Sequence, residues 1–89
     1  MARIYKHVID DRSTDITVNG SVLCVHEQGD NLTLWVEDGT RIGRRIRVIV
    51  VGTGEEVNLT RCKYIGTAFV GEYVWHVYIK ELDYGSKDK

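Results

Sequence analysis

The chain has 89 residues, which is enough for one small domain and leaves no room for a second. Hydrophobic residues make up 43% of it and charged residues 28%, a composition typical of folded globular proteins rather than disordered chains. Twelve Lys and Arg against thirteen Asp and Glu give a net charge of −1. This balance argues against a general polyanion binder, so nucleic acid is not an expected partner.

The sequence predicts a cytoplasmic protein with no membrane partner. The first residues lack the apolar run of a signal peptide, and the longest apolar run, Val48 to Val51, is far too short to span a bilayer. Cys24 and Cys62 have neither a CxxC spacing nor a companion His at zinc spacing. We therefore expect reduced thiols, no metal and no cofactor. The alternative is a disulfide between the two cysteines, which the geometry allows.

Short β-branched and aromatic runs separated by Gly, Asn and Asp recur along the chain, and helical spacing is absent. Asn19-Gly20 is a type I′ turn signal, while Gly29-Asp30 and Gly71-Glu72 each connect two strands of a hairpin. The longest connection, 52–62, has room for one helical turn. We predict an all-β fold, a small antiparallel barrel or sandwich over residues 1–82, with a polar, disordered tail at 83–89. The predicted strands are 3–9, 15–18, 21–27, 31–37, 44–51, 63–70 and 73–81.

The final hairpin is apolar on both faces. With Gly71-Glu72 as the turn, Ala68 faces Trp75 and Tyr64 faces Ile79 on one side, and Thr67 faces His76 on the other. One face lines the core, and the other meets a ligand, a second sheet or another subunit. The alternative is a closed barrel that buries one face of the hairpin, with the polar ends of Tyr and His side chains pointing outward on the other face. The expected homo-oligomer interface comprises Tyr64, Phe69, Tyr73, Trp75 and Tyr78.

Several stretches stand in a distinctive order along the chain: Ile4-Tyr5-Lys6, Leu34-Trp35-Val36, Val51-Gly52-Thr53-Gly54, Tyr64-Ile65-Gly66-Thr67 and Val74-Trp75-His76-Val77-Tyr78. Together they resemble a family of small uncharacterised proteins encoded by bacteriophages and prophages. The resemblance implies a phage-derived protein that works inside a bacterial host cell. Where members of that family usually carry a Pro-rich, acidic stretch, this chain has Glu55-Glu56-Val57-Asn58.

Arg41, Arg44, Arg45 and Arg47 form the main charge cluster of the sequence. Arginine holds phosphate with a planar fork of donors, and Trp35, if it lies cross-strand, offers a face for a stacked base. The cluster is a candidate anion or nucleotide site. The structural alternative is a solvated strand whose arginines pair with Glu27 or Glu37.

Gly52-Thr53-Gly54 follows an apolar strand and has the material of a phosphate-binding loop, namely accessible amides and a hydroxyl. It lacks the remaining residues of a Walker or Rossmann loop, so a strand-ending turn with positive φ is the simpler interpretation. If a ligand binds here, Thr53 is the residue expected to contact it.

The sequence gives no pattern for catalysis. His7, His26 and His76 lie on separate predicted strands, and no Ser or Cys stands in a nucleophile motif. We therefore predict a non-enzymatic, homo-oligomeric counter-defence protein that sequesters a small anionic, nucleotide-derived ligand. The alternative is a protein–protein interaction module that inhibits a host or phage protein through an exposed sheet surface.

Overall fold

The computed structural model describes residues 3–39 and 43–82, and its regular structure is entirely β. The predicted all-β class is confirmed, and the predicted strand limits differ from the observed ones by no more than about two residues. The described connection between the fifth and sixth strands contains turns but no helix, so the helical turn expected there is wrong. The tail at 83–89 lies outside the described residues. The strands are β1 (Arg3–Ile9), β2 (Ser13–Val18), β3 (Val22–Gln28), β4 (Asn31–Asp38), β5 (Arg44–Gly52), β6 (Cys62–Val70) and β7 (Tyr73–Glu81).

The seven strands form two antiparallel sheets, one of three strands in the order β1-β4-β3 and one of four in the order β2-β5-β7-β6. The sheets are not closed into a barrel but face each other as a sandwich, which decides between the two predicted architectures. β5 is an interior strand that pairs with β2 and β7, as its apolar sequence predicts.

The core lies between the sheets and is built mainly from alternate residues of β2, β4, β5 and β7. Leu34 of the smaller sheet and Ile46, Val48 and Val77 of the larger one are fully buried. Each such side chain contributes about 1.5–3 kcal/mol by leaving water. The core therefore occupies most of the inward face of the four-stranded sheet.

The expected type I′ turn at Asn19-Gly20 is wrong. The glycines with positive φ are Gly29, Gly54 and Gly71, and Gly20 is not among them. The physical reason is the topology, because β2 and β3 belong to different sheets and their connection passes between the sheets instead of closing a hairpin.

Candidate ligand-binding site

The candidate site lies on the outer face of the four-stranded sheet. β5 and β6 both run antiparallel to β7, so they are parallel to each other and need a crossover connection. That connection, which we call the crossover segment (53–61), lies over the outward side chains of β5 and β7 and encloses two hollows against the sheet. It also explains why the second half of β5 is apolar on both faces, since Val51 is buried although it points away from the core.

The start of the crossover segment is fixed by Glu55. One of its carboxylate oxygens accepts a hydrogen bond from the Gly52 amide at 2.7 Å, and the other pairs with Arg12. The Arg12 guanidinium in turn lies 4.7 Å from the centroid of the Trp75 ring, within cation–π range. Gly54 adopts a φ of 90°, so the sequence interpretation of Gly52-Thr53-Gly54 as a strand-ending turn is confirmed.

The first hollow, which we call the basic hollow, has a volume of about 610 Å³. Three of its lining residues are cationic, and no lining residue carries a carboxylate. Arg47 and Lys80 are register partners on β5 and β7, and Arg61 comes from the end of the crossover segment. The lining is completed by Ile49, Asn58, Thr60 and Cys62. Three cationic side chains therefore line one hollow.

Arg61 lines this hollow from an unusual backbone conformation. Its φ is 64°, in the left-handed region that non-glycine residues seldom adopt. The Asn58 side chain stabilises the preceding turn, because its Oδ1 accepts hydrogen bonds from the Thr60 amide at 3.0 Å and from the Thr60 hydroxyl. The Cys62 amide then donates to the Leu59 carbonyl at 3.0 Å. The turn that begins β6 therefore fixes the backbone from which the Arg61 side chain extends.

Arg47 is oriented by Asp15 of β2, its register partner. Its Nε donates to one carboxylate oxygen of Asp15 at 2.8 Å and its Nη2 to the other at 3.1 Å. These hydrogen bonds from Arg47 lower the pKa of Asp15 below its usual value. Desolvation opposes them, and the positive charges of Arg47 and Arg45 add to the lowering. The carboxylate stays ionised at neutral pH and keeps the guanidinium in place.

The second hollow, which we call the polar hollow, has a volume of about 590 Å³ and lies beside the basic one. It is lined by Thr53, Glu56, His76 and Tyr78, among others, with Val57 and Leu59 of the crossover segment. His76 is bonded on both ring nitrogens: Nε2 lies 2.9 Å from the Thr53 hydroxyl and Nδ1 lies 3.0 Å from the Thr67 hydroxyl. The phenol of Tyr64 hydrogen-bonds to Thr67 in turn, so four side chains form one continuous hydrogen-bond chain.

A β-bulge places Tyr64 in that chain. The predicted hairpin register is confirmed from the turn down to Gly66, which faces Val77, but the pairing then shifts so that Tyr64 faces Tyr78 instead of Ile79. Ile65 is the extra residue, and it packs against the core. Tyr64 is thereby moved to the outer face, where its ring meets Tyr78 edge-on at 5.4 Å between centroids.

The structure divides the predicted ligand residues. Arg47 lines the basic hollow, and Thr53 lines the polar hollow. Arg44 is instead engaged by Glu81 and by the Gly20 carbonyl, and Arg45 pairs across the sheet with Thr17. Arg41 lies outside the described residues.

Trp35 does not lie cross-strand from the arginines, so that expectation is wrong. It belongs to β4 in the other sheet, where its register partners are Lys6 and Cys24. The alternative partners considered for the arginines, Glu27 and Glu37, are also on the smaller sheet. The observed partners are Asp15 and Glu81.

The predicted interface residues also lie in two places. Tyr64, Phe69 and Tyr78 share the outer face of the four-stranded sheet, and the first two are 53% and 59% exposed. Trp75 packs against the core and stacks with Tyr73, which is 65% exposed at the end of the sandwich. The apolar outer face of the hairpin is thus covered in part by the crossover segment of the same chain.

Arg61, Lys80 and Glu56 are site residues that sequence reasoning missed. Arg61 and Lys80 are far from the arginine cluster in sequence and join it only through the β5–β7 pairing and the crossover. The pairing of Thr67 with His76 was predictable from the hairpin register, but the contact between Thr53 and His76 depends on where the crossover begins. A weak sequence signal for Arg61 is the Asn58-Leu59-Thr60 stretch before it, because Asn favours such turns.

Two further cavities are smaller. One of about 280 Å³ at the end of the sandwich opens onto core residues such as Ile9 and Val50, beneath Asp10, Asp11 and Asp30. The other, of about 230 Å³, lies between the free edges of β1 and β2 beside His7. Within residues 3–39 and 43–82, no three His, Cys, Asp or Glu side chains are grouped to hold a metal, and both cysteines are free.

In the described part of the chain, no helix has the length and apolarity required to cross a membrane. The fold and site define a small two-sheet β domain with two hollows on one outer face. The chain belongs to the family described as Domain of unknown function (DUF7352), whose model matches residues 1–87. No curated protein and no solved structure matches it.

Proposed function

We propose that this is a non-catalytic binding protein that holds a small anionic ligand on the outer face of its four-stranded sheet. The observation that supports the proposal best is the basic hollow, in which Arg47, Arg61 and Lys80 surround about 610 Å³ without a lining carboxylate. Guanidinium and ammonium groups are the side chains that bind phosphate and other compact anions most strongly. The hollow has the size of a small-molecule site.

The three cationic side chains of the basic hollow differ in how free they are to bind an anion. Arg47 is already bonded to Asp15 and contributes a fixed, partly neutralised guanidinium. Among the described residues, neither Arg61 nor Lys80 pairs with a carboxylate. A ligand anion would therefore take Arg61 and Lys80 as its main partners, with Arg47 behind them.

The wider hypothesis from the sequence remains a proposal. In this hypothesis the ligand is a nucleotide-derived signal of host defence, and the protein is a phage protein that works in the bacterial cytoplasm. The hypothesis rests on the family resemblance and on the arginine cluster. The same holds for sequestration by a homo-oligomer. The anion site stands on the geometry of Arg47, Arg61 and Lys80 and does not depend on that setting.

The test is binding of inorganic phosphate, ADP-ribose and cyclic dinucleotides, measured by calorimetry and by the shift in melting temperature. Lys80→Gln and Arg61→Asn each remove one charge, and Asn tolerates the left-handed backbone at position 61. Since a hydrogen bond to a charged group is worth about 1.5–3 kcal/mol, each change should weaken binding about tenfold or more. Lys63→Gln is the matched control, because Lys63 is exposed on the same sheet and does not line the hollow.

Cys62 gives an independent readout. It lines the basic hollow and is partly exposed, whereas Cys24 lies on the other sheet. A bound anion should slow alkylation of Cys62 and leave Cys24 unchanged, as measured by peptide mass spectrometry. Equal affinities in Lys80→Gln and Lys63→Gln, together with unprotected Cys62, would refute the proposal.

A second candidate function is protein–protein interaction, which is favoured by the exposed aromatic rings of Phe69 and Tyr73. A second copy of this chain is the partner we propose for them, in keeping with the expected homo-oligomer. Light scattering of the wild type and of Phe69→Ser at micromolar concentration tests it. A single-chain mass for both proteins would contradict self-association, and native mass spectrometry of the protein purified from cells would show any retained partner or ligand.

A further inference from the structure

The two hollows follow one another along the outer face of the β5–β7 ladder. Arg47 and Lys80 are paired at the basic hollow, and Val51 and His76 are paired at the polar hollow. Between them on the same face lies the pair Ile49 and Tyr78. Ile49 lines the basic hollow and Tyr78 lines the polar one.

We infer that one ligand occupies both hollows and that it is a nucleoside phosphate, with its phosphate in the basic hollow and its sugar and base in the polar hollow. The inference rests on the proposed anion site and adds that a single molecule spans both hollows in a defined orientation. The pair Ile49 and Tyr78 supplies an apolar and an aromatic side chain at the middle of the groove, where the uncharged part of such a ligand begins.

The chemistry of the polar hollow suits an uncharged, hydrogen-bonding group. The carboxylate of Glu56 has no partner among the described residues and accepts hydrogen bonds from hydroxyl or amino groups. The charge of Glu56 also repels a second anion at this end, whereas that of Glu55 is balanced by Arg12. The ligand is therefore oriented in one direction only, with its negative charge toward Lys80.

The hydroxyl of Thr53 can either donate a hydrogen bond to the ligand or accept one from it. When Nε2 of His76 is protonated, it donates to the Thr53 oxygen and leaves the Thr53 hydroxyl proton for an acceptor on the ligand. In the other tautomer, Thr53 donates to Nε2 and its remaining lone pair accepts from the ligand. Thr67 and Tyr64 satisfy Nδ1 in both cases, because each hydroxyl can donate or accept.

The distance between the two hollows is too long for a small inorganic anion to occupy both of them. Lys80 and His76 are four residues apart on β7, which is about 13 Å at the usual rise of a strand. Inorganic phosphate fills only the basic hollow, whereas a nucleotide also reaches Tyr78 and Thr53.

The experiment compares inorganic phosphate with AMP and ADP-ribose by calorimetry on the full chain. We expect at least one of the two nucleotides to bind about tenfold or more tightly than phosphate. Thr53→Val should weaken nucleotide binding about fivefold, the equivalent of one hydrogen bond of about 1 kcal/mol, and leave phosphate binding within about twofold. Thr17→Val is the matched control, since Thr17 is exposed on β2 of the same sheet and lines neither hollow.

The outcomes separate the two proposals. Nucleotides that bind no more tightly than phosphate, or a Thr53→Val effect equal for phosphate and nucleotide, would overturn this inference and leave the anion site standing. Absence of binding by all three probes would overturn the anion site itself. The 15N chemical shifts of His76 provide a second readout, since a ligand that contacts Thr53 should shift the tautomer population and phosphate should not.

Discussion

The contact that aligns the two sheets can be tested at Gly66. A Cβ atom at this position would lie 2.9 Å from Cγ1 of Val25, whereas carbon atoms in contact are normally about 3.5–4.0 Å apart. Val25 is only 4% exposed and belongs to the core, so it has little room to move. Gly66→Ala must therefore push β3 and β6 apart by several tenths of an ångström.

The expected cost follows from two opposing effects. Overpacking a core position costs about 1–3 kcal/mol, while replacing Gly by Ala restricts the unfolded chain and returns about 0.4–1 kcal/mol. We expect a net loss of about 1–2 kcal/mol for Gly66→Ala, or roughly 4–15 °C in melting temperature for a domain of this size. Val25→Ala alone should cost about 1.5 kcal/mol for the two methyl groups removed.

The double variant distinguishes this mechanism from general destabilisation. In Gly66→Ala with Val25→Ala, the new methyl group fills part of the space that the old ones left, so the combined loss should be smaller than the sum by about 1 kcal/mol or more. Urea unfolding followed by Trp35 and Trp75 fluorescence measures all four proteins. Additive losses within about 0.5 kcal/mol would show that the close approach of β3 to β6 does not exist in solution.

Three further predictions concern the core and the site. Leu34→Ala should lower the free energy of unfolding by about 2–5 kcal/mol, since the Leu34 side chain has no solvent exposure; a loss below about 1 kcal/mol in urea would contradict its central place. The pKa of Asp15 is lower in the folded chain, so the stability advantage of wild type over Asp15→Asn should be present above the unfolded-state value of about 3.9 and disappear as the pH falls through the folded-state value. An advantage that grows in acid would refute the pair with Arg47. Thr67→Val should change the 15N shifts of His76 while leaving those of His26 unchanged, and unaltered His76 shifts would show that Thr67 does not select its tautomer.

The strands were predictable because alternation and turn glycines are local signals. Gly71 marks the final hairpin, and its register follows directly as far as Gly66. The bulge at Ile65 was not predictable, because it depends on whether the core takes the side chain of Ile65 or that of Tyr64. The bulge lies beside Gly66, which Val25 of β3 approaches closely from the other sheet.

The site was predictable only in part, for the same reason. Arg47 and Thr53 were identified because their residue types carry the chemistry wherever they lie. The neighbours of Arg47 are not predictable from the sequence, because they depend on strand pairing. Asp15 lies beside Arg47 through the β2–β5 pairing, and Lys80 lies beside Arg47 through the β5–β7 pairing. Trp35 was assigned to the same cluster because the sequence does not specify which sheet a strand joins.

The groove follows from the topology of the larger sheet. Because β7 pairs between β5 and β6, the chain leaving β5 must return along the sheet before it can enter β6 in the same direction. A connection made of a helix would bury the outer face, but the crossover segment of this chain is a short irregular stretch that covers β7 and leaves space beside it. The cations and the hydrogen-bond chain therefore face hollows whose floor is the hydrogen-bonded sheet, an arrangement that would fix side chains in advance for the proposed ligand.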